Sequence, residues 1–188
     1  NKKKDSFLLG YLFGLGYHLS SLYWIAISFA TANYGGYVLG SIAVLTIASF
    51  LSLITALAFL LIKVTCKNFN FFHNALFIII IMSFFDWVKG NIFWGFPWLP
   101  ISSIWTFSSL TMSPLSLFGV WGYSVITFSF IVGAYFLKHS IKIGIILCAP
   151  YILSVLISYN LPLNNEKIEN IFIRIIQPNI KQIDKWDI

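Results

Sequence analysis

Five apolar stretches, each about as long as a bilayer is thick, decide what this chain can fold into. They run over roughly residues 7–32, 37–62, 71–88, 115–137 and 143–159. About 20 apolar residues of helix cross the hydrocarbon core. Lipid offers no partners to free backbone groups, so each stretch is predicted as a helix that satisfies its own N–H and C=O groups. The third is the shortest, and His73 and Asn74 at its start are read as interface residues. Charge content argues against a soluble domain. Only 10% of the 188 residues are charged and 59% are hydrophobic, where a soluble domain carries about 25% charged residues. The net charge of +6 does not point to nucleic acid, because the lysines stand in small groups between the apolar runs, as loop charges that orient membrane helices do.

Those lysines fix an expected orientation. With the N-terminus in the cytoplasm, Lys2, Lys3, Lys4, Lys63, Lys67, Lys138 and Lys142 all fall inside, and Lys89 is the one lysine in the outer loops before the C-terminal tail. The opposite orientation reverses that bias and breaks the positive-inside rule. The chain starts at Asn1, and its first apolar run is too long for a signal sequence. The start is therefore expected to lie in a loop of a longer protein.

The middle of the chain behaves differently. Residues 89–114 hold three Pro and two Gly with many Ser and Thr, yet almost no charge. They are too broken for a sixth spanning helix. Irregular backbone at membrane depth is tolerated where protein or a water-filled cavity covers it. The segment is predicted to be re-entrant or interfacial, with Phe93, Trp94, Phe96, Trp98, Trp105 and Phe107 near headgroup level. Asp86 and Lys89 lie three residues apart at the outer end of the third span, on one helix face. The pair either anchors the helix end, holds the dipping segment, or contacts a zwitterionic headgroup.

Other features carry less. Gly10 and Gly14 form a G-x-x-x-G pair, which either lets a second helix approach closely or reflects the general frequency of Gly in membrane helices. His18 is read as a satisfied polar residue between helices. No His, Cys and carboxylate cluster has metal-ligand spacing, and Cys66 and Cys148 have no base nearby in sequence to make either a nucleophile. After a polar linker the composition changes: Ile171, Ile173 and Ile175 alternate with Phe172, Arg174 and Ile176. That period predicts a mostly buried β-strand. A lone strand does not fold by itself, so a second domain is expected to begin here.

Several blocks together resemble bacterial apolipoprotein N-acyltransferase. They are residues 10–28, GYLFGLGYHLSSLYWIAIS; Asp86-Trp-Val-Lys-Gly90 with Gly95-Phe-Pro-Trp98; residues 118–124, FGVWGYS; and Ile176-Gln-Pro-Asn-Ile180 with Gln182 and Lys185-Trp-Asp187. The last block is similar to the opening of the family's nitrilase-like domain. Asp86 stands where the family usually has Glu, and Lys89 where it usually has Arg, which keeps the charges but removes a bidentate contact. Trp94 stands where a Thr is usual, and Ser102 and Ser103 where Gly-Tyr is common.

The resemblance implies an all-α polytopic membrane domain of about five transmembrane helices plus the re-entrant segment, followed by the first strand of a truncated α/β nitrilase-like domain. The expected division is 1–160 transmembrane domain, 161–167 linker and 168–188 start of the nitrilase-like domain. The implied setting is a bacterial inner membrane, multi-pass, with the C-terminal domain on the periplasmic side. The implied activity is transfer of an acyl chain from a phospholipid donor to the N-terminal cysteine amine of a diacylglyceryl apolipoprotein. The family's Glu, Lys and Cys triad is expected downstream of Asp187, so no catalytic residue, metal or cofactor is assigned here, and this stretch alone is expected to be inactive. Trp94, Phe96 and Trp98 are the candidates for a lipid entrance; Asp86 and Lys89 are the structural or headgroup pair. The competing class is a non-catalytic multi-span transport or scaffolding protein.

Overall fold

The computed structural model describes residues 2–32, 35–66, 69–92, 95, 99–161 and 174. Every regular element among them is helical. In chain order these are α1 (Lys2–Leu22), α2 (Trp24–Thr31), α3 (Gly36–Thr65), α4 (Phe71–Asn91), a 3-10 turn (Ile101–Trp105), α5 (Ser109–Met112), α6 (Leu115–Phe136) and α7 (Ile141–Asn160). α3, α4, α6 and α7 are each long and apolar enough to cross a membrane, and the bent α1–α2 pair, taken as one span, brings the number to five. In those four helices only 22–33% of the most apolar window is buried, so most of each faces outward, as lipid-facing helices do.

The first apolar run is not the single helix expected from sequence. α1 and α2 meet at Tyr23 with a 41° bend. Ser20 and Ser21 both donate their hydroxyls to the Tyr17 carbonyl, at 2.9 and 2.8 Å. Such bonds compete with the helix ladder and bend it. α3 then serves as the spine for both halves. A Cβ on Gly10 would lie 2.7 Å from Phe59 Cβ, and one on Gly14 3.0 Å from Thr55 Cβ. The G-x-x-x-G pair is thus a helix contact with α3. Gly40 does the same for α2, where a Cβ would stand 2.7 Å from the Ala26 Cα.

Two cores result. Leu22, Ile25, Val44, Leu51 and Ile54 join α1, α2 and α3. Ala75, Ile79, Phe128, Val132, Phe136 and Leu147 join α4, α6 and α7. α4 begins with Asn70, whose side chain accepts from the His73 N–H at 3.0 Å, the usual satisfaction of a free helix donor. His73 is a capped helix start, as an interface residue would be. α4 continues to Asn91, beyond the expected end at 88, which places Lys89 inside the helix. α6 is interrupted at Gly119, with φ 64 and ψ 178, a region open essentially to Gly alone. The predicted strand at 171–176 falls outside the described residues except for Arg174.

Candidate functional site

The C-terminal end of α4 is built around a buried ion pair. Asp86 and Lys89 are each 7% exposed, with Lys89 Nζ 2.8 Å from Asp86 Oδ1. Two buried charges need their remaining hydrogen-bonding capacity satisfied. The segment that follows supplies it. Lys89 Nζ donates to the Leu99 carbonyl at 2.6 Å, and the Ile101 N–H donates to Asp86 Oδ2 at 3.1 Å. The pair therefore clamps the chain at two points where it leaves the irregular stretch.

The turn inside the clamp needs glycine. Gly95 has φ 85, and a Cβ there would run into the Gly90 carbonyl oxygen. Gly90 is equally constrained, because the Trp121 ring of α6 lies directly over it. Beyond the clamp, polar contacts fasten the segment to α6 and α7. Ser102 Oγ donates to the Val120 carbonyl at 3.2 Å, beside the Gly119 interruption. The Trp105 Nε1–H donates to Thr127 Oγ1 at 2.9 Å, and its ring stacks on Tyr151 at 4.3 Å. Tyr123, fully buried, donates its hydroxyl to the Thr111 carbonyl at 2.6 Å. Sequence reasoning missed this network; its signal was the presence of Thr127 and Tyr151 in the middle of apolar spans.

Trp94, Phe96 and Trp98, the expected lipid-entrance residues, lie outside the described residues. Below the clamp a cavity of about 470 Å³ is lined by α1, α3, α4 and α6. Its walls are mostly apolar, and Asp86, Lys89 and His18 stand toward one end. His18 is 1% exposed, packed between helices; neither ring nitrogen reaches a full hydrogen bond among the described residues, while the Gly14 backbone one turn earlier favours its N–H. Its ring meets the edge of Tyr17 at 5.2 Å, which satisfies no polar atom. Cys66 and Cys148 are free thiols that face backbone carbonyls of Asn74 and Phe130 at 3.8 and 3.7 Å. No metal-binding group of His, Cys, Asp or Glu occurs among the described residues.

Four or five candidate apolar spans, with the backbone at Leu99 and Ile101 pinned on a buried ion pair, define a polytopic α-helical membrane domain. The family model described as apolipoprotein N-acyltransferase N-terminal domain matches residues 1–133. The chain belongs to the apolipoprotein N-acyltransferase family. The apolipoprotein N-acyltransferase of Rickettsia typhi is 32% identical over 188 residues, covering 95% of this chain and 36% of the relative. That of Rickettsia bellii is 32% identical over 190 residues. That of Brucella suis biovar 1 is 26% identical over 191 residues, covering 95% of this chain and 35% of the relative. The chain thus spans about a third of the length of the curated relatives it matches. No solved structure matches it.

Proposed function

We propose that this chain forms the membrane platform of an apolipoprotein N-acyltransferase in a bacterial inner membrane. The N-terminus faces the cytoplasm, residues 1–160 form the transmembrane domain, 161–167 a linker, and 168–188 the opening of a nitrilase-like domain on the periplasmic side. The whole enzyme moves an acyl chain from a phospholipid to the N-terminal cysteine amine of a diacylglyceryl apolipoprotein. Its nucleophilic Cys, with a Glu base and a Lys near the oxyanion, belongs to the nitrilase-like domain. A thioester acyl-enzyme joins the two half-reactions, which is the logic of covalent catalysis. In this division of labour the membrane residues bring the lipid to the thiol and hold it in register; misplacement by about 1 Å costs on the order of 10²-fold in rate.

The observation that carries the reading is the Asp86–Lys89 pair. It ties backbone at Leu99 and Ile101 to the end of a spanning helix, within a block that resembles the family's. A chain tied there suits a threshold between bilayer and periplasm. Trp94, Phe96 and Trp98 form the lateral lipid entrance. In the intact enzyme that contains this chain, Phe96→Ala with Trp98→Ala is expected to slow acyl-enzyme formation from a phospholipid donor. Unchanged acyl-enzyme formation would remove these residues from the entrance.

A further inference from the structure

We propose that Tyr17 is a positioning residue of the acyl-transfer platform: its ring steadies the Lys89 ammonium and so keeps that ammonium on the Leu99 carbonyl. The proposal rests on the platform reading and says how α1 takes part in it.

An ammonium carries three N–H groups. On Lys89, Asp86 Oδ1 at 2.8 Å and the Leu99 carbonyl at 2.6 Å take two of them. The charged oxygen is the stronger acceptor, so those two contacts alone leave the head free to turn from the carbonyl toward the carboxylate. The Tyr17 ring is the third contact, with Nζ 5.7 Å from its centroid. A cation within about 6 Å of an aromatic centroid is drawn to the negative ring face, most strongly where water is excluded. Lys89 is buried. Among the described residues that line the adjoining cavity, Asp86 is the one acid, so no second carboxylate takes the place of the ring.

The ring is in turn placed by α1. Gly14, three residues earlier, seats that helix on α3, where a Cβ would stand 3.0 Å from Thr55 Cβ. The Tyr17 carbonyl accepts both serine hydroxyls, at 2.9 and 2.8 Å, just ahead of the 41° bend. The His18 ring meets Tyr17 edge-on, 5.2 Å between centroids. The packing of α1 on α3 runs through Gly10 and Gly14, so weakening the ring's hold on Lys89 leaves that packing in place. What moves is the backbone at Leu99, which follows directly on the proposed entrance residues Phe96 and Trp98. A displacement of about 1 Å there is enough to cost on the order of 10²-fold in rate.

The test uses the intact enzyme that contains this chain, with Tyr17→Phe and then trifluoro- and pentafluoro-phenylalanine at residue 17. Fluorine drains the negative ring face while nearly keeping the ring's shape, which a role in packing alone would not register. Two quantities are read: the rate of acyl-enzyme formation from a phospholipid with a radiolabelled acyl chain, and hydrogen exchange at the Ile101 amide, which donates to Asp86. Tyr17→Phe should stay within about twofold of wild type. The trifluoro ring should slow acyl-enzyme formation about threefold and the pentafluoro ring about 10- to 30-fold, with Ile101 exchange rising in the same order. The same series at Phe13, which stacks on the Phe59 ring, should slow nothing. With Lys89→Met, Ile101 exchange should no longer respond to fluorine at residue 17. A wild-type enzyme that forms acyl-enzyme, with a flat series at residue 17 or one matched at Phe13, overturns the proposal and leaves the platform reading standing. A folded wild-type enzyme that forms no acyl-enzyme, while Ile101 exchange still follows fluorine, overturns the platform reading and the positioning role with it, and leaves only the ring–ammonium contact.

Discussion

Breaking the Asp86–Lys89 pair tests whether it clamps the outer segment. Asp86→Asn keeps an oxygen that can accept from Ile101 N–H but removes the charge 2.8 Å from Lys89 Nζ. The ammonium, 7% exposed, then keeps the Leu99 carbonyl and the face of the Tyr17 ring, 5.7 Å away, and no opposite charge among the described residues. Removing one partner of a buried ion pair typically costs about 3–5 kcal/mol, because the other charge is left uncompensated. Lys89→Met leaves the carboxylate in the same position and should cost a similar amount. The double variant removes both charges and retains the amide contact to Ile101. Its expected cost falls to about 1–3 kcal/mol, the penalty for the orphaned Leu99 carbonyl. The sum of the two single effects should therefore exceed the double by at least about 3 kcal/mol of coupling. Thermal unfolding in detergent reads this directly, with a thiol-reactive dye reporting exposure of Cys66 and Cys148, both free and partly buried. Single variants within about 0.5 kcal/mol of wild type, the range of ordinary surface changes, would refute the clamp. Strict additivity would refute the pairing.

Further outcomes follow from the packing. Gly14→Leu should destabilise the α1–α3 contact by about 1–3 kcal/mol through overpacking, whereas Gly16→Ala, which meets nothing within 4 Å, should be neutral or stabilising; the same unfolding assay separates them. Trp105→Phe removes the bond to Thr127 and should cost about 0.5–1.5 kcal/mol, with little further loss when Thr127→Val is added. Burial pushes the Cys66 thiol above its ordinary range. Because the thiolate is the reactive form, alkylation of Cys66 in a Cys148→Ala background should be slow at neutral pH and accelerate as pH rises beyond the usual thiol range. A rate that has already levelled off near neutrality would contradict that burial.

The parts legible in the sequence are those the bilayer dictates. Lipid leaves a spanning backbone no choice but helix, so the five apolar runs located α1–α2, α3, α4, α6 and α7 within a few residues. The bend at Tyr23 escaped because it depends on two serine hydroxyls turning back on one carbonyl, which periodicity does not record. Asp86 and Lys89 were legible as a pair from their spacing alone. Their partners were not, since Leu99 and Ile101 lie 10 and 15 residues from the side chains that hold them, in a stretch without regular pattern. His18 was legible as a polar residue packed between helices, and it is buried there, with the Gly14 backbone of its own helix as its polar neighbour. The partners of Trp105, Thr127 and Tyr151, lie 22 and more residues away in sequence, so its contacts were not legible.

The central claim, that this chain is the membrane platform of an N-acyltransferase, meets its most direct test in the lipoprotein product. The intact enzyme containing this chain would be expressed in bacteria depleted of their own N-acyltransferase. Mass spectrometry of a mature lipoprotein then reads its N-terminal cysteine. The account predicts a third acyl chain in amide linkage on that amine, lost when Asp86→Asn and Lys89→Met are introduced singly. A lipoprotein that keeps its free amine and two acyl chains, with the wild-type enzyme folded in the membrane, would contradict it.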